Sequence, residues 1–590
     1  MKKSAQLSKL LVRQYEKNRD KKSPHLILKT NQITDSEAFS CNYAGGIINL
    51  QADSDLAVIY GIHHLNIGLA SGHFSEFLGD WRPRFALRPL WIGCDLDVDL
   101  ESSSHIPVSL RLPKLLCGSE VNGLSGQNGQ GQGQRQLDRL CERVLELGYN
   151  AIVLGALDNT SRASTANFGH SGSGTIDIQA ICTHLHTYGL KVILKPNKPS
   201  GRCPLDAIQA ASIQQYIKNF LEKVPYFDYL LWEGDFLHPD CFLHPSAAEA
   251  TQLELVQAEV ALVEKALTES KEGEKPPPSL IYYVPSPDLS TAEQQVAWLQ
   301  ELCDRVGNKT IIAFSAVSGE PWSDHQPPHP FWESLRKSPD ISSTALMPII
   351  NTGAARQGDG LWPTLTLDLS ERYLTRCTRH QFAGAITLVN HLPEKGALLD
   401  CSLWVCSQML WKNRSAALLA ETWFSAERPD FDYLYFAESL RKVRELAVEL
   451  SFIRSLRNER HRDLLSQTES RAMADSFLAR LRELQILFEC SEKKTKKHTH
   501  NRGSVVRPRC NDYFSYFARD AIRLVAYFMQ CFQVTLPHIR KEEDVWEGFW
   551  TKSKQGSTYS ASKPVFLETP QRGVPGTVME RIYLEVYPNI

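Results

Sequence analysis

The sequence predicts an α/β chain: a (β/α)8 TIM barrel, preceded by a small N-terminal α+β domain and followed by a C-terminal helical region. Three observations carry that expectation. Short apolar runs alternate with amphipathic helical segments between residues 91 and 392. The runs lack polar alternation, as strands do when helices cover both faces of a parallel sheet. Their number favours closure into a barrel over an open doubly wound sheet.

The first elements precede the barrel. Residues 25–30 (HLILKT) and 46–51 (GIINLQ) read as short strands, and residues 56–65 have helical apolar spacing. They form an accessory domain over residues 1–86, with Trp81-Arg82-Pro83-Arg84-Phe85 as its exit linker, since proline disfavours regular structure around it.

The barrel is expected over residues 87–412. Its strands read as 91–98, 150–158, 190–197, 227–235, 279–287, 309–317, 345–351 and 384–392. Helical segments at 137–149, 176–188, 207–223, 247–269, 291–305 and 369–380 lie between them. Residues 118–134, 161–175 and 272–278 are too rich in Gly, Gln, Ser and Pro to build a core and read as surface loops. The run Gly129-Gln130-Gly131-Gln132-Gly133 superficially suggests a phosphate loop, but it follows no strand and lacks an acidic partner. No dinucleotide or other cofactor is expected.

Beyond Trp411 the pattern becomes helical, giving a third domain over residues 413–590. Leu440, Val443, Ala447, Leu450 and Ile453 share a helical face, and 471–489 and 513–532 are similarly amphipathic. Such apolar faces suit a homodimer interface. The basic run Lys493–Arg502 lacks interleaved aromatics and reads as a solvated linker.

Composition bounds the function classes. A chain of 590 residues exceeds what one core usually organises. Its net charge of −2 gives no electrostatic reason to expect nucleic acid or an anionic membrane as partner. No uncharged apolar run reaches membrane-spanning length, and the basic start lacks the apolar stretch of a secretory signal. The 14 cysteines are dispersed without a C-x-x-C pair, which suits reduced thiols in a cytoplasmic protein. His238, Cys241 and His244 form the one metal-like cluster, but prolines interrupt it and its spacing is wrong, so no metal is expected.

In a barrel of this kind, chemistry sits at the C-terminal ends of the strands. Those ends offer many polar residues, yet one carboxylate is closely flanked by aromatic and apolar residues: Glu233, in Tyr229-Leu230-Leu231-Trp232-Glu233-Gly234. Such surroundings would desolvate the acid and favour its protonated form, as a proton donor needs. The spacing leaves a second role equally open, in which Glu233 caps the following helix or pairs with Lys195.

The barrel region resembles family 67 of the glycoside hydrolases, the α-glucuronidases. Leu145–Leu154 is similar to that family's second-strand segment and Tyr188–Leu194 to its third. Val224–Gly234 is similar to the segment that holds the family's general acid, which falls on Glu233. Gly384–Asn390 with Leu403–Trp411 is similar to its eighth strand and following helix, and Gly46–Leu65 resembles the accessory domain shared with β-hexosaminidases. The likeness spans roughly residues 25–415 and implies hydrolysis of a terminal sugar from an oligosaccharide by paired carboxylates.

The chain departs from that family at named places. The two carboxylates that activate water fall on Ser315 and near Gly353, and the cations that recognise the uronate fall on Tyr229 and Ile281. A uronate buried without a cationic partner would be costly, which argues against glucuronate itself. Glu320, just past the sixth strand, is the candidate replacement base, with Asp235 as a further option. An inverting pair stands about 6.5–9.5 Å apart and a retaining pair about 5–5.5 Å. Lys195, Asn197, Trp232, Trp322 and Asn390 complete the expected substrate site, the tryptophans by stacking on sugar rings. The departures also support an alternative from another class: a catalytically inactive barrel retained for carbohydrate or protein binding.

Overall fold

The computed structural model describes residues 2–18, 24–92 with small gaps, 130–155, 178–196, 202–234, 251–269, 277–284, 292–306, 310–315, 346–352, 367–379, 382–389 and, with small gaps, 392–442, together with scattered positions between 472 and 490. The N-terminal unit opens with helix α1 (Lys2–Asn18), which the sequence reading did not anticipate. Strands β1 (His25–Thr30), β2 (Phe39–Ala44), β3 (Ile47–Ala52) and β4 (Gly79–Trp81) form a sheet of order β1-β3-β2-β4. β1 runs parallel to β3, whereas β2 is antiparallel to both β3 and β4.

Between β3 and β4 lies α2 (Asp55–Ser71), longer than its apolar core predicted. Ser54 caps it by accepting from the Ala57 amide, satisfying a backbone donor that the first turn leaves open. Gly72 closes it in the left-handed conformation at φ 77°. Ala57, Val58, Ile59, Tyr60, Ile62 and Leu65 are buried, so the helix is enclosed on several sides rather than along one stripe.

The barrel is closed and all parallel. Its strands are β5 (Pro89–Ile92), β6 (Ala151–Gly155), β7 (Lys191–Lys195), β8 (Tyr229–Glu233), β9 (Ser279–Val284), β10 (Ile311–Ser315), β11 (Leu346–Asn351) and β12 (Ile386–Val389). β10 pairs with β9 on one side and β11 on the other, and β12 pairs with β5 to close the ring. The surrounding helices are α3 (Gln130–Glu146), α4 (Ile178–Thr187), α5 (Ala207–Lys223), α6 (Gln252–Glu269), α7 (Ala292–Val306), α8 (Leu367–Arg379) and α9 (Leu398–Trp411); α10 (Ala416–Glu427) follows.

Alternation along the strands separates two apolar sets. Ala151, Val153, Ile193, Leu231, Ile281, Ala313, Met347, Ile349 and Ile386 pack together inside the ring. The intervening residues, among them Ile152, Leu154, Val192, Leu194, Leu230, Trp232, Leu280 and Tyr282, join the core between strands and helices. Both faces of each strand are therefore buried, and this explains why the sequence shows continuous apolar runs.

Two further boundary differences bear on the barrel. β5 begins at Pro89, and residues 93–98 of the expected strand lie outside the described residues. α3 is helical from Gln130, so the end of the expected Gly/Gln loop belongs to the helix. Glutamine is a good helix former, and the amphipathic run beginning at Leu137 extends the helix back through the glycines despite their cost. Residues 161–175 and 272–276, the basic run 493–502 and the segment 513–532 lie outside the described residues.

Candidate active site

Glu233 ends β8, the fourth strand of the barrel, in register with Tyr283 of β9. Its Oε2 lies 2.8 Å from Nζ of Lys195, the last residue of β7. The Glu233 side chain is 42 % exposed and that of Lys195 is 23 % exposed, and the pair sits at the C-terminal mouth of the barrel. Lys195 Nζ also stands 5.4 Å from the centroid of the Trp91 ring on β5. Between them runs Gly155 of β6, where a Cβ would lie 3.5 Å from Trp91 Nε1.

Four side chains from β5, β7, β8 and β9 thus assemble one surface: Trp91, Lys195, Glu233 and Tyr283. Trp91 and Tyr283 both pack on the interior apolar set below. Burial, with the Glu233 charge as a smaller contribution, pushes the Tyr283 phenol up to about 12. It therefore remains a neutral hydrogen-bond donor across the ordinary pH range. Tyr283 was missed in the sequence because strand-end reading favoured charged and amide residues; its position opposite Glu233 appears only with the register.

Lys195 and Glu233 are the two expected site residues that the structure brings together. Their contact is also the ion pair left open as a structural role for Glu233. Trp232 is a correction. It is 2 % exposed, belongs to the core outside the ring, and donates from Nε1 to Glu259 Oε1 of α6 at 2.8 Å. Adjacent strand residues point to opposite faces, so a tryptophan next to an inward glutamate cannot also face the mouth. The aromatic residues at the pair are Tyr283, in register with Glu233, and Trp91, beside Lys195; Glu233 itself is 42 % exposed, so the enclosure expected from its sequence neighbours is not found.

Glu320, Asn197, Trp322, Asn390, Asp235 and Gly353 lie outside the described residues, as do His238, Cys241 and His244. Ser315 ends β10, paired with Ile349 of β11. Tyr229 lies partly buried against the interior set and Ile281 is buried within it. Among the described residues, Glu233 is the one carboxylate at the C-terminal ends of the barrel strands, and no cluster with metal-ligand composition is found.

No protein-family profile matches the chain, and no curated protein matches it in sequence. Solved structures do match. A GH138 enzyme targeting pectin rhamnogalacturonan II is 12 % identical, with 98 % of this chain and 77 % of that chain aligned at a TM-score of 0.52. At that identity the likeness shows the fold alone, in agreement with the closed parallel barrel described above. A GH20 exo-β-N-acetylglucosaminidase from Vibrio harveyi aligns over 74 % of this chain and 73 % of its own at 11 % identity and a TM-score of 0.40. CpGH84D aligns over 99 % and 94 % at 11 % identity and 0.39. Superpositions that loose support nothing further.

Proposed function

We propose that the chain is a glycoside hydrolase of α-glucuronidase-like type, which removes a terminal sugar from an oligosaccharide by carboxylate acid/base catalysis. The observation that carries this reading is Glu233, a half-exposed carboxylate at the end of the fourth barrel strand, set among Lys195, Trp91 and Tyr283. An aromatic face, a cation and a neutral phenol beside one acid suit a sugar ring with its hydroxyls. That the GH138 neighbour targets pectin rhamnogalacturonan II on a similar fold supports the same class.

In the proposed reaction Lys195 turns from Glu233 to the hydroxyls of the bound sugar. Glu233, relieved of the ammonium, carries a proton and gives it to the departing glycosidic oxygen. Water adds to the anomeric carbon and yields its proton to a second carboxylate, for which Glu320 is the candidate. Asn197, Asn390 and Trp322 remain proposed substrate contacts. The free and mostly buried thiols suit a reducing, cytoplasmic setting, and no described helix is long and apolar enough to cross a membrane. The three-domain division at residues 86 and 412, and a homodimer through the C-terminal helices, are part of the same proposal.

The test is turnover of a panel of aryl and oligosaccharide glycosides by the wild type, Glu233→Gln and Glu320→Gln. The reading expects Glu233→Gln to lose at least about 100-fold in kcat on a substrate needing protonation of its leaving group, and much less on an activated aryl glycoside. Wild type and Glu233→Gln equally inert on the whole panel would end it. One observation favours a second reading, an inactive barrel that binds carbohydrate: the mouth carboxylate is already tied to an ammonium. Saturable sugar binding by an inert wild type would select that alternative.

A further inference from the structure

Behind Glu233, on the helix side of the barrel wall, lies a buried carboxylate that the proposed reaction does not use. Glu259 of α6 is 3 % exposed. Its Oε1 accepts from Trp232 Nε1 at 2.8 Å and its Oε2 accepts from the Tyr282 hydroxyl at 2.6 Å. Trp232 and Tyr282 are register partners on β8 and β9, and the next pair up the same ladder is Glu233 with Tyr283. One helix carboxylate therefore ties together the two strands immediately below the mouth residues.

The surroundings are built to keep that tie. Gly234 is buried, and its amide donates to the Tyr283 carbonyl at 2.9 Å. A Cβ at Gly234 would lie 2.5 Å from the Tyr282 hydroxyl oxygen, so any larger residue would push the phenol off Glu259. An indole N–H can only donate, so one carboxylate oxygen is required, and the phenol is met by the other. Burying a carboxylate for this purpose is expensive, whereas apolar residues would fill the same layer more cheaply. We infer that Glu259 is a positioning residue, which holds β8 and β9 in the register that sets Glu233 against Lys195 and Tyr283. This rests on the reading of Glu233 as the catalytic acid, and extends it to the group that fixes the acid in place.

The experiment uses the full chain with Glu259→Leu and Glu259→Gln, each first checked for a cooperative thermal transition. Two readouts follow. On a glycoside turned over by the wild type, Glu259→Leu should lose on the order of 100-fold in kcat with KM within about threefold, because a shift near 1 Å at the reacting group costs that much. Glu259→Gln, which keeps one acceptor for Trp232, should recover part of the loss. The loss should largely vanish when Glu233→Gln is already present, since a misplaced amide has little left to lose.

The second readout needs no turnover. Lysines are reductively methylated with 13C-formaldehyde, and the Lys195 resonance is assigned by its absence in Lys195→Arg. In Glu259→Leu that resonance should move to where it lies in Glu233→Gln, reporting that Glu233 has left the ammonium. A folded Glu259→Leu with unchanged kcat, or with the wild-type Lys195 resonance, overturns the inference. If Leu fails to fold, Glu259→Gln is judged by the same two criteria. A wild type inert on every glycoside defeats the hydrolase reading alone, and the methyl resonance then decides the positioning role by itself.

Discussion

Lys195 separates stability from function at the mouth. Its ion pair with Glu233 is partly exposed, with side chains 23 % and 42 % accessible, so solvent screens it and little folding free energy rests on it. Lys195→Met should therefore change stability by no more than about 1 kcal/mol. It should nevertheless lower kcat/KM by at least about tenfold, because it removes the cation that orients both acid and sugar. Thermal unfolding measured beside turnover checks both halves, and a large stability loss with intact turnover would reverse the assignment. Glu233 and Lys195 were legible in the sequence because charged residues at the ends of apolar runs are conspicuous. Trp232 was misread for a reason of the same origin. When both faces of a strand are apolar, nothing in the run says which parity points inward. The register resolves it: Tyr229, Leu231 and Glu233 share the interior face, while Leu230 and Trp232 face the helices.

At the scale of elements, the strands and helices of the barrel were legible from alternation, whereas their starts were not. α3 begins in a Gly/Gln run and α1 in a polar, basic stretch, and neither start carries the apolar spacing by which a helix is recognised. The turn from α3 into β6 shows what the chain pattern can hide. Gly148 has φ +93°, and its carbonyl accepts from Arg88 Nε at 3.2 Å and from Trp411 Nε1 at 3.1 Å. A Cβ there would lie 2.5 Å from the Ser407 hydroxyl oxygen of α9. Gly148→Ala should cost more than about 1 kcal/mol, from a left-handed backbone and a steric clash together. Adding Ser407→Gly should return the steric part and leave the backbone part. Chemical denaturation of the two single variants and the double would show the coupling, and strict additivity would mean that the clash is not relieved this way.

At the scale of the whole molecule, the N-terminal unit and the barrel share one seam. Arg88 is fully buried there, paired with Glu37, and lies 4.6 Å above the Trp411 ring. Tyr60 of α2 donates to the Tyr149 carbonyl at 2.9 Å, and Arg414 beyond α9 reaches back to Glu76. Both units contribute to one continuous apolar cluster, so they should unfold together. His64 reports on this seam. Its ring packs against Phe39, Trp81 and Trp411, and its Nδ1 lies 2.7 Å from the Tyr60 carbonyl. Burial is the main cause lowering its pKa from 6.5 to about 4; nearby His63 and Arg414 act in the same direction, against the hydrogen bond to the Tyr60 carbonyl. The folded state therefore resists a proton that the unfolded chain accepts, so stability is full above pH 6.5 and falls towards pH 4. The interval corresponds to at most roughly 3 kcal/mol. His63, also lowered to about 4 chiefly by burial, adds to the same window. His64→Phe keeps an aromatic ring in the cluster and removes one of the titrating groups. Urea unfolding of the wild type between pH 7 and pH 4 should give one transition, coincident by tryptophan fluorescence and far-ultraviolet circular dichroism, whose midpoint drops with pH. In His64→Phe the drop should be smaller by up to that amount. An identical pH slope in the two proteins would show that His64 is not shielded at the seam, and separate transitions would show that the two units do not fold as one.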